Sequence, residues 1–509
     1  MGRVRMTNWS SVSDIFGHCY YFVLKHYSNL SVQNCTKNFL RPIFLVVIFQ
    51  ILFLMIVGIL EGVFLSLQEK MSEFVSSVEY GDLPVDALRV AKQSLLDYFG
   101  VTLAGSVEPV GKIIRSYLEE VGSIGSSTVI GFGLKVSCKD AAFANGVLGH
   151  ALDFDDSNPS LLGHPSVPVA PAVLAVGELL EASGKDLLLA YSVGVEIECK
   201  LGLAVNPSHM ARGWHCTSTL GAFGATAAAG KLLGLDSEQM TYAFGIAASE
   251  SAGVRANFGT MTKPFHAGRA AENGVVAAML AKNGFTSNKN ALEEEFGYLK
   301  VTTGEYNRGV MEKLGNPWEL VTPGIYYKLY PCCHYGHAAI NALLSIIREK
   351  RVDSENVESI EVGATQAIYD NLIYHEPKTG LEGKFSMQFF MADALLGRGI
   401  RLEDFTDDRV RDPKIVEFMK KTKFQVDPEI NKLVPYGLGA AISRVKVKTK
   451  SGEEFVKDGM PTAGLEELKQ KYEICAGYVL QEDKIRESMK LVLDLEKLDN
   501  IRKLMQLMH

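Results

Sequence analysis

From Leu83 to about Gly324 the apolar positions recur with the period of a helix. Leu88, Ala91, Leu95 and Phe99 fall on one face, and Pro84 suits the first turn before them. The same spacing predicts helices over 167–182, ended by Gly184, and over 187–203, while Asp236 with Gln239 forms a capping box that opens another. Gly221, Gly224 and Gly230 lie among alanines between Thr217 and Leu235, which predicts a helix buried where neighbours approach closely. Past Tyr330 the period shortens. Val357, Ile360 and Val362 predict a strand, and Val445 and Val447 alternate with Arg444, Lys446 and Lys448 ahead of a Ser451-Gly452 turn. Helical spacing returns from Leu465 to Met508. The expected architecture is a mainly α-helical large domain, built from 71–324 and 461–509, interrupted by a smaller α+β domain over 325–460.

The first seventy residues follow another pattern. Positions 43–60 read IFLVVIFQILFLMIVGIL, and apolar residues resume at Val63–Leu65, so 43–65 is a candidate transmembrane helix. Arg3, Arg5, Lys25, Lys37 and Arg41 precede it against the single acid Asp14, while Glu61, Glu69, Glu73, Glu79 and Asp82 follow it. A spanning helix with these flanks would keep the N-terminus cytoplasmic and place the rest across the membrane. The other reading is that 1–70 is an upstream extension outside the working protein, which begins at Met71 and is cytoplasmic.

Hydrophobic content of 47% and charged content of 22% describe a globular chain with a sizeable core. A net charge of −7 without a basic cluster after residue 71 excludes a nucleic-acid footprint, but not a small anionic substrate. Eight cysteines in 509 residues are too few for a disulfide scaffold, and Cys138, Cys199, Cys216 and Cys475 read as reduced thiols. The Cys332-Cys333-His334 run with His337 lacks the spacer and second ligand pair of a zinc site. Gly131-Phe-Gly133 lacks the third glycine of a dinucleotide loop and reads as a turn. With no nucleotide or metal-ligand motif, the expected cofactor and metal content is none.

The densest chemistry is NGVLGHALDFDD over 145–156, followed by His164-Pro165. Asp153, Asp155 and Asp156 crowd three carboxylates into four positions, which is costly unless cations or helix N-termini face them. An Asp-x-Asp phosphatase is a rival, but GHAL is not the β-branched strand that would precede its nucleophile. Gly213-Trp-His215-Cys-Thr-Ser-Thr-Leu-Gly221, Thr262-Lys263-Pro264-Phe-His266-Ala-Gly268 and Tyr327-Lys328-Leu-Tyr-Pro331 with His337 follow in order. Together these blocks resemble the MmgE/PrpD family, from about Met71 to the C-terminus.

The resemblance implies a helical domain with a smaller lid, a homodimer, and active-site roles for Asp153, His164, His215, Lys263 and Lys328. It also implies a tyrosine, for which Tyr374 fits better than Tyr369, and places His266, Arg269 and His337 as substrate-binding candidates. The Asp153–His164 spacing is one residue longer than in animal cis-aconitate decarboxylases of the family. The residues support this chemistry independently. Proton removal beside a carboxylate adds charge to an anion, which Lys263 and Lys328 would neutralise while a histidine moves the proton. The expected function is therefore a lyase acting on a small polycarboxylate. A 2-methylcitrate dehydratase-like reaction is expected first, then cis-aconitate decarboxylation, then epimerisation of an iminodisuccinate-like substrate. A membrane-anchored binding protein without catalysis is the reading from another class.

Overall fold

The computed structural model describes residues 65–509 except 398, 434–441 and 460–463. The candidate span over 43–65 lies outside these residues but for Leu65. Among the described residues no helix is long and apolar enough to cross a membrane.

Helix α1 (Leu67–Ser77) begins four residues before Met71, so the boundary read at residue 70 falls inside it. Ser66 and Glu69 form a capping box, and Leu67 and Met71 are buried. The Gln68 amide donates to the carbonyls of Thr241 at 2.6 Å and Asn288 at 3.1 Å. Next come α2 (Val85–Ser106), entered through Pro84, and a hairpin of β1 (Ser127–Val129) and β2 (Leu134–Val136). The hairpin was not foreseen, because strands of three residues carry too short a pattern; its turn holds Gly131 at φ 82° and Gly133 at φ 67°.

Helices α3 (Cys138–His150), α4 (Ser166–Leu180), α5 (Gly184–Val205), α6 (Gly221–Leu233), α7 (Ser237–Glu250) and α8 (Thr262–Lys282) build the main core. Asp236 and Gln239 form the expected box at the start of α7. Gly184 does not end α4. Glu181, left-handed at φ 55°, closes that helix, and Gly184 opens α5, where an added Cβ would lie 1.7 Å from the Leu495 carbonyl oxygen. Close approach, not termination, requires that glycine. The glycines of α6 act as expected: a Cβ on Gly224 would press on Glu198 of α5 at 3.0 Å.

A second core follows in the same compact unit, which runs from Ser66 to His509. It packs α9 (His337–Lys350), α10 (Met387–Gly397) and α11 (Pro413–Lys420) with a sheet of β3 (Val357–Ala364), β4 (Thr422–Val426), β5 (Ser443–Thr449) and β6 (Glu454–Gly459). The strand order is β4-β3-β5-β6, with β3 and β4 parallel and the other pairs antiparallel. The alternation in β5 buries Val445 and Val447, while Arg444 and Lys446 pair with Asp458 and Glu454 of β6. The chain then returns as α12 (Leu465–Ala476), packed on α2. The fold is mainly helical with small sheets.

Candidate active site

The site grows from a close helix crossing. A Cβ on Gly146 of α3 would lie 2.7 Å from the Cα of Gly268 on α8, so only glycines let the two backbones meet there. His150 lies one turn beyond this crossing on α3, and Lys263 lies at the start of α8. They meet, with the Lys263 ammonium donating to His150 Nε2 at 2.8 Å.

The chain leaves α3 through Asp153, whose φ of 52° is left-handed, a conformation costly for a side-chain-bearing residue. Two lysines hold it there. Lys263 Nζ donates to Asp153 Oδ1 at 2.6 Å; Lys328 Nζ donates to the Asp153 carbonyl at 2.6 Å and lies 3.3 Å from Oδ2. Lys384 donates to the carbonyls of Leu152 and Pro331 at 2.7 Å each. From α12, Lys471 bonds Asp97 at 2.5 Å and the Phe154 carbonyl at 2.6 Å, fastening the next residue. This loop is braced from four separate parts of the chain.

Imidazoles crowd around Asp153. His150 and His164 meet edge to face with centroids 4.6 Å apart, and His215 stacks on His150 at 5.8 Å. His164 Nε2 lies 3.7 Å from Asp153 Oδ1, and its Nδ1 lies 3.0 Å from Asp155. The His215 and His266 Nδ1 atoms face each other at 3.0 Å, so one donates to the other. His215 is set by its backbone, which donates to the Gly253 carbonyl at 3.0 Å.

Burial and charge divide these groups sharply. Burial works to raise the Asp153 and Asp155 pKa values, but Lys263 and Lys328 around the first, and His150 and His164 around the second, hold both carboxylates below the ordinary range. Burial also lowers the histidines, to about 3 for His150 and about 4 for His266, and His215 is pushed down as well. Burial opposes the charge on Lys328, yet Asp153 and Asp155 raise its pKa above that of a free lysine. At neutral pH the centre therefore holds ionised carboxylates, a charged Lys328 and neutral imidazoles.

Asp153, His164, His215, Lys263 and Lys328 thus come together from four sequence blocks. His266 stands behind His215 and lines a cavity of about 380 Å³ with Ser218, Glu250 and Arg269. Arg269 itself is exposed and paired with Glu272 at 2.5 Å, away from the charged cluster. His337 is committed through Nε2 to the Cys332 carbonyl at 3.3 Å. Tyr374 lies one layer out: its hydroxyl donates to the Phe258 carbonyl at 3.0 Å, and the Phe258 ring packs on His215 at 4.9 Å.

Four members were missed from the sequence. His150 and Asp155 stand in the quoted aspartate-rich block, and their signal was present there. Lys384 and His334 were harder to find. His334, read only as part of a failed zinc pattern, stacks on Tyr326 at 5.5 Å with both ring nitrogens buried and without a hydrogen-bond partner. An unsatisfied buried imidazole beside Lys328 and His164 is a place for a ligand.

His150, Asp153, Asp155 and His164 offer ligand atoms within 4.8 Å of one another, close enough to hold a metal ion. Lys263 already donates to two of the four residues, His150 and Asp153. The donor set is spent on an ammonium group, and it fits a metal poorly.

Comparison with known proteins gives a consistent result. Residues 69–309 match the MmgE/PrpD N-terminal domain, and residues 330–496 match the MmgE/PrpD C-terminal domain. A cis-aconitate decarboxylase of Aspergillus terreus is 28% identical over 477 residues, covering 86% of this chain and 95% of that protein. The human cis-aconitate decarboxylase is 29% identical over 455 residues, covering 86% and 93%. A cis-aconitate decarboxylase-like protein of Aspergillus oryzae is 26% identical over 472 residues, covering 86% and 96%.

Proposed function

Because the chain belongs to the MmgE/PrpD family, we propose that it is a lyase that moves a proton at a carbon beside a carboxylate of a small polycarboxylate, with decarboxylation of cis-aconitate as its reaction. The observation that carries this reading is Asp153 held between Lys263 and Lys328, at 2.6 Å and 3.3 Å, with neutral imidazoles around it. Sequence alone put 2-methylcitrate dehydration first. The relatives move decarboxylation ahead of it.

Lys263 and Lys328 keep protons beyond those given to Asp153, and these would bind the substrate carboxylates. When a carbon–carboxylate bond breaks, its electron pair is delocalised towards a remaining carboxylate, where the same ammonium groups stabilise it. An imidazole that has taken up a proton from solvent then delivers it to carbon, giving an unsaturated dicarboxylate and carbon dioxide. His164 and His215 would make this transfer, and the ring nitrogens of His334 would meet a substrate oxygen. Tyr374, His266, Arg269 and His337 would act from further out, by shaping the walls.

The second core, within 325–460, would serve as the lid, since Lys384 comes from it and bonds the Asp153 loop. We also infer a homodimer that needs no metal, flavin or nicotinamide. A cytoplasmic location is supported by the six described cysteines, all free thiols. The test is to incubate the full chain, with EDTA present, with cis-aconitate, 2-methylcitrate and iminodisuccinate, reading products by proton NMR. Cis-aconitate should lose carbon dioxide. Dehydration of 2-methylcitrate alone would favour the dehydratase reading, and no turnover of any of the three by folded protein would overturn the proposal.

A further inference from the structure

The protons on two of the site's imidazoles are placed by the Asp155 carboxylate and the neighbouring Asp156 carbonyl. Asp155 is fully buried, and its two oxygens lie 2.9 Å and 3.0 Å from His150 Nδ1. His164 Nδ1 lies 3.0 Å from the same carboxylate and 2.9 Å from the Asp156 carbonyl. An ionised carboxylate and a carbonyl have no proton to give, so the His150–Asp155 and His164–Asp156 hydrogen bonds must each be donated by a ring N–H. A neutral imidazole has only one such proton. Both rings are therefore Nδ1–H tautomers, and both carry their lone pair on Nε2.

The two lone pairs have different uses. On His150 it accepts from Lys263 Nζ at 2.8 Å, which helps fix the ammonium that also holds Asp153. On His164 it accepts no hydrogen bond among the described residues, and the Asp153 carboxylate is 3.7 Å away. A proton arriving at His164 Nε2 would lie between Asp153 on one side and, through the ring, Asp155 on the other.

We propose that Asp155 is a positioning residue for the reaction: it locks His150 as the Nδ1–H tautomer and sets its negative charge against His164, whose own Nδ1–H the Asp156 carbonyl holds, so that His150 anchors Lys263 and His164 Nε2 carries the proton to carbon. The second half rests on the lyase reading above; the tautomer lock does not. His150, Asp153, His215, Lys263, Lys328 and His334 face this pair from the site, while Asp97 and Asp156 stand behind Asp155. Asp155 supplies the negative charge in contact with the His164 ring, and it opposes the lowering by burial, Lys328 and Lys263.

The first test uses the full chain labelled with ¹⁵N-histidine and no substrate. Two-bond nitrogen–proton correlations report the tautomer of each ring, with His150 and His164 assigned by the signals lost in His150→Gln and His164→Gln. Both should be protonated on Nδ1. An Nε2–H tautomer at either ring in the unsubstituted protein would overturn the proposal, whatever the activity.

Asp155→Asn then removes the negative charge beside His164 and replaces one of the two acceptors facing His150 with an amide N–H. The expected result is a kcat on cis-aconitate lower by roughly 10²–10⁴ with KM within a few fold, and the pH–rate limb that reports His164 moved to lower pH. Unchanged tautomers with unchanged kcat in a folded Asp155→Asn protein would contradict it. If that variant does not fold, the spectrum of the unsubstituted protein decides alone. If the spectrum is as expected and no polycarboxylate turns over, the lyase reading fails while the tautomer lock stands.

Discussion

Asp153 and Asp156 are three residues apart, both buried, and pushed in opposite directions. Asp153 has two ammonium groups and stays ionised. Asp156 has none: burial and then the nearby Asp97 carboxylate raise it to about 8, against the bonds it accepts from Ser166. A folded-state pKa raised above the unfolded one adds stability that is complete below about 4 and is lost as pH climbs through about 8. Asp156→Asn, which mimics the protonated form at every pH, should therefore gain on the parent protein as pH rises from 5 to 8.5. Melting curves of the two across that range check this, and a constant difference would refute it. Lys263 should behave as a cation that holds substrate as well as transition state. Lys263→Ala is expected to raise KM and lower kcat together, and steady-state kinetics with a fall in kcat alone would deny it a binding role. These residues were legible because their motifs are local. The pairing of Lys263 with His150, 113 positions apart, was not, since no spacing encodes a helix crossing.

At the scale of elements, helix period and capping chemistry read well. The Asp236–Gln239 box and the Pro84 entry are both in place, because they depend on residues within one turn. Gly184 was misread for the opposite reason: its role is set by Leu495, more than three hundred residues away. The start of the fold was also misplaced. A chain beginning at Met71 would lose the Ser66–Glu69 capping box, the buried Leu67 and both Gln68 hydrogen bonds. Loss of a cap costs about 1 kcal/mol and of a buried leucine about 1.5–3 kcal/mol. A chain starting at Met71 should fold, yet denature at lower urea than one starting at residue 60. Coincident curves would show that α1 contributes nothing before Met71.

For the whole molecule, the change of period near Tyr330 coincides with the passage from one hydrophobic core to the other. The centre is assembled from both sides of that passage, with Asp153, His215 and Lys263 before it and Lys384 after it. Composition alone could not foresee this, though net charge and the missing motifs pointed towards a small anion rather than a nucleotide. Turnover of cis-aconitate by the full chain in D₂O tests the central claim most directly, because it follows the proton itself. The product should carry one deuterium on the carbon beside a carboxylate, and its formation should fall by roughly 10²–10⁴ in a folded His164→Gln protein. A product free of deuterium, or formed at the parental rate by that variant, would contradict the account.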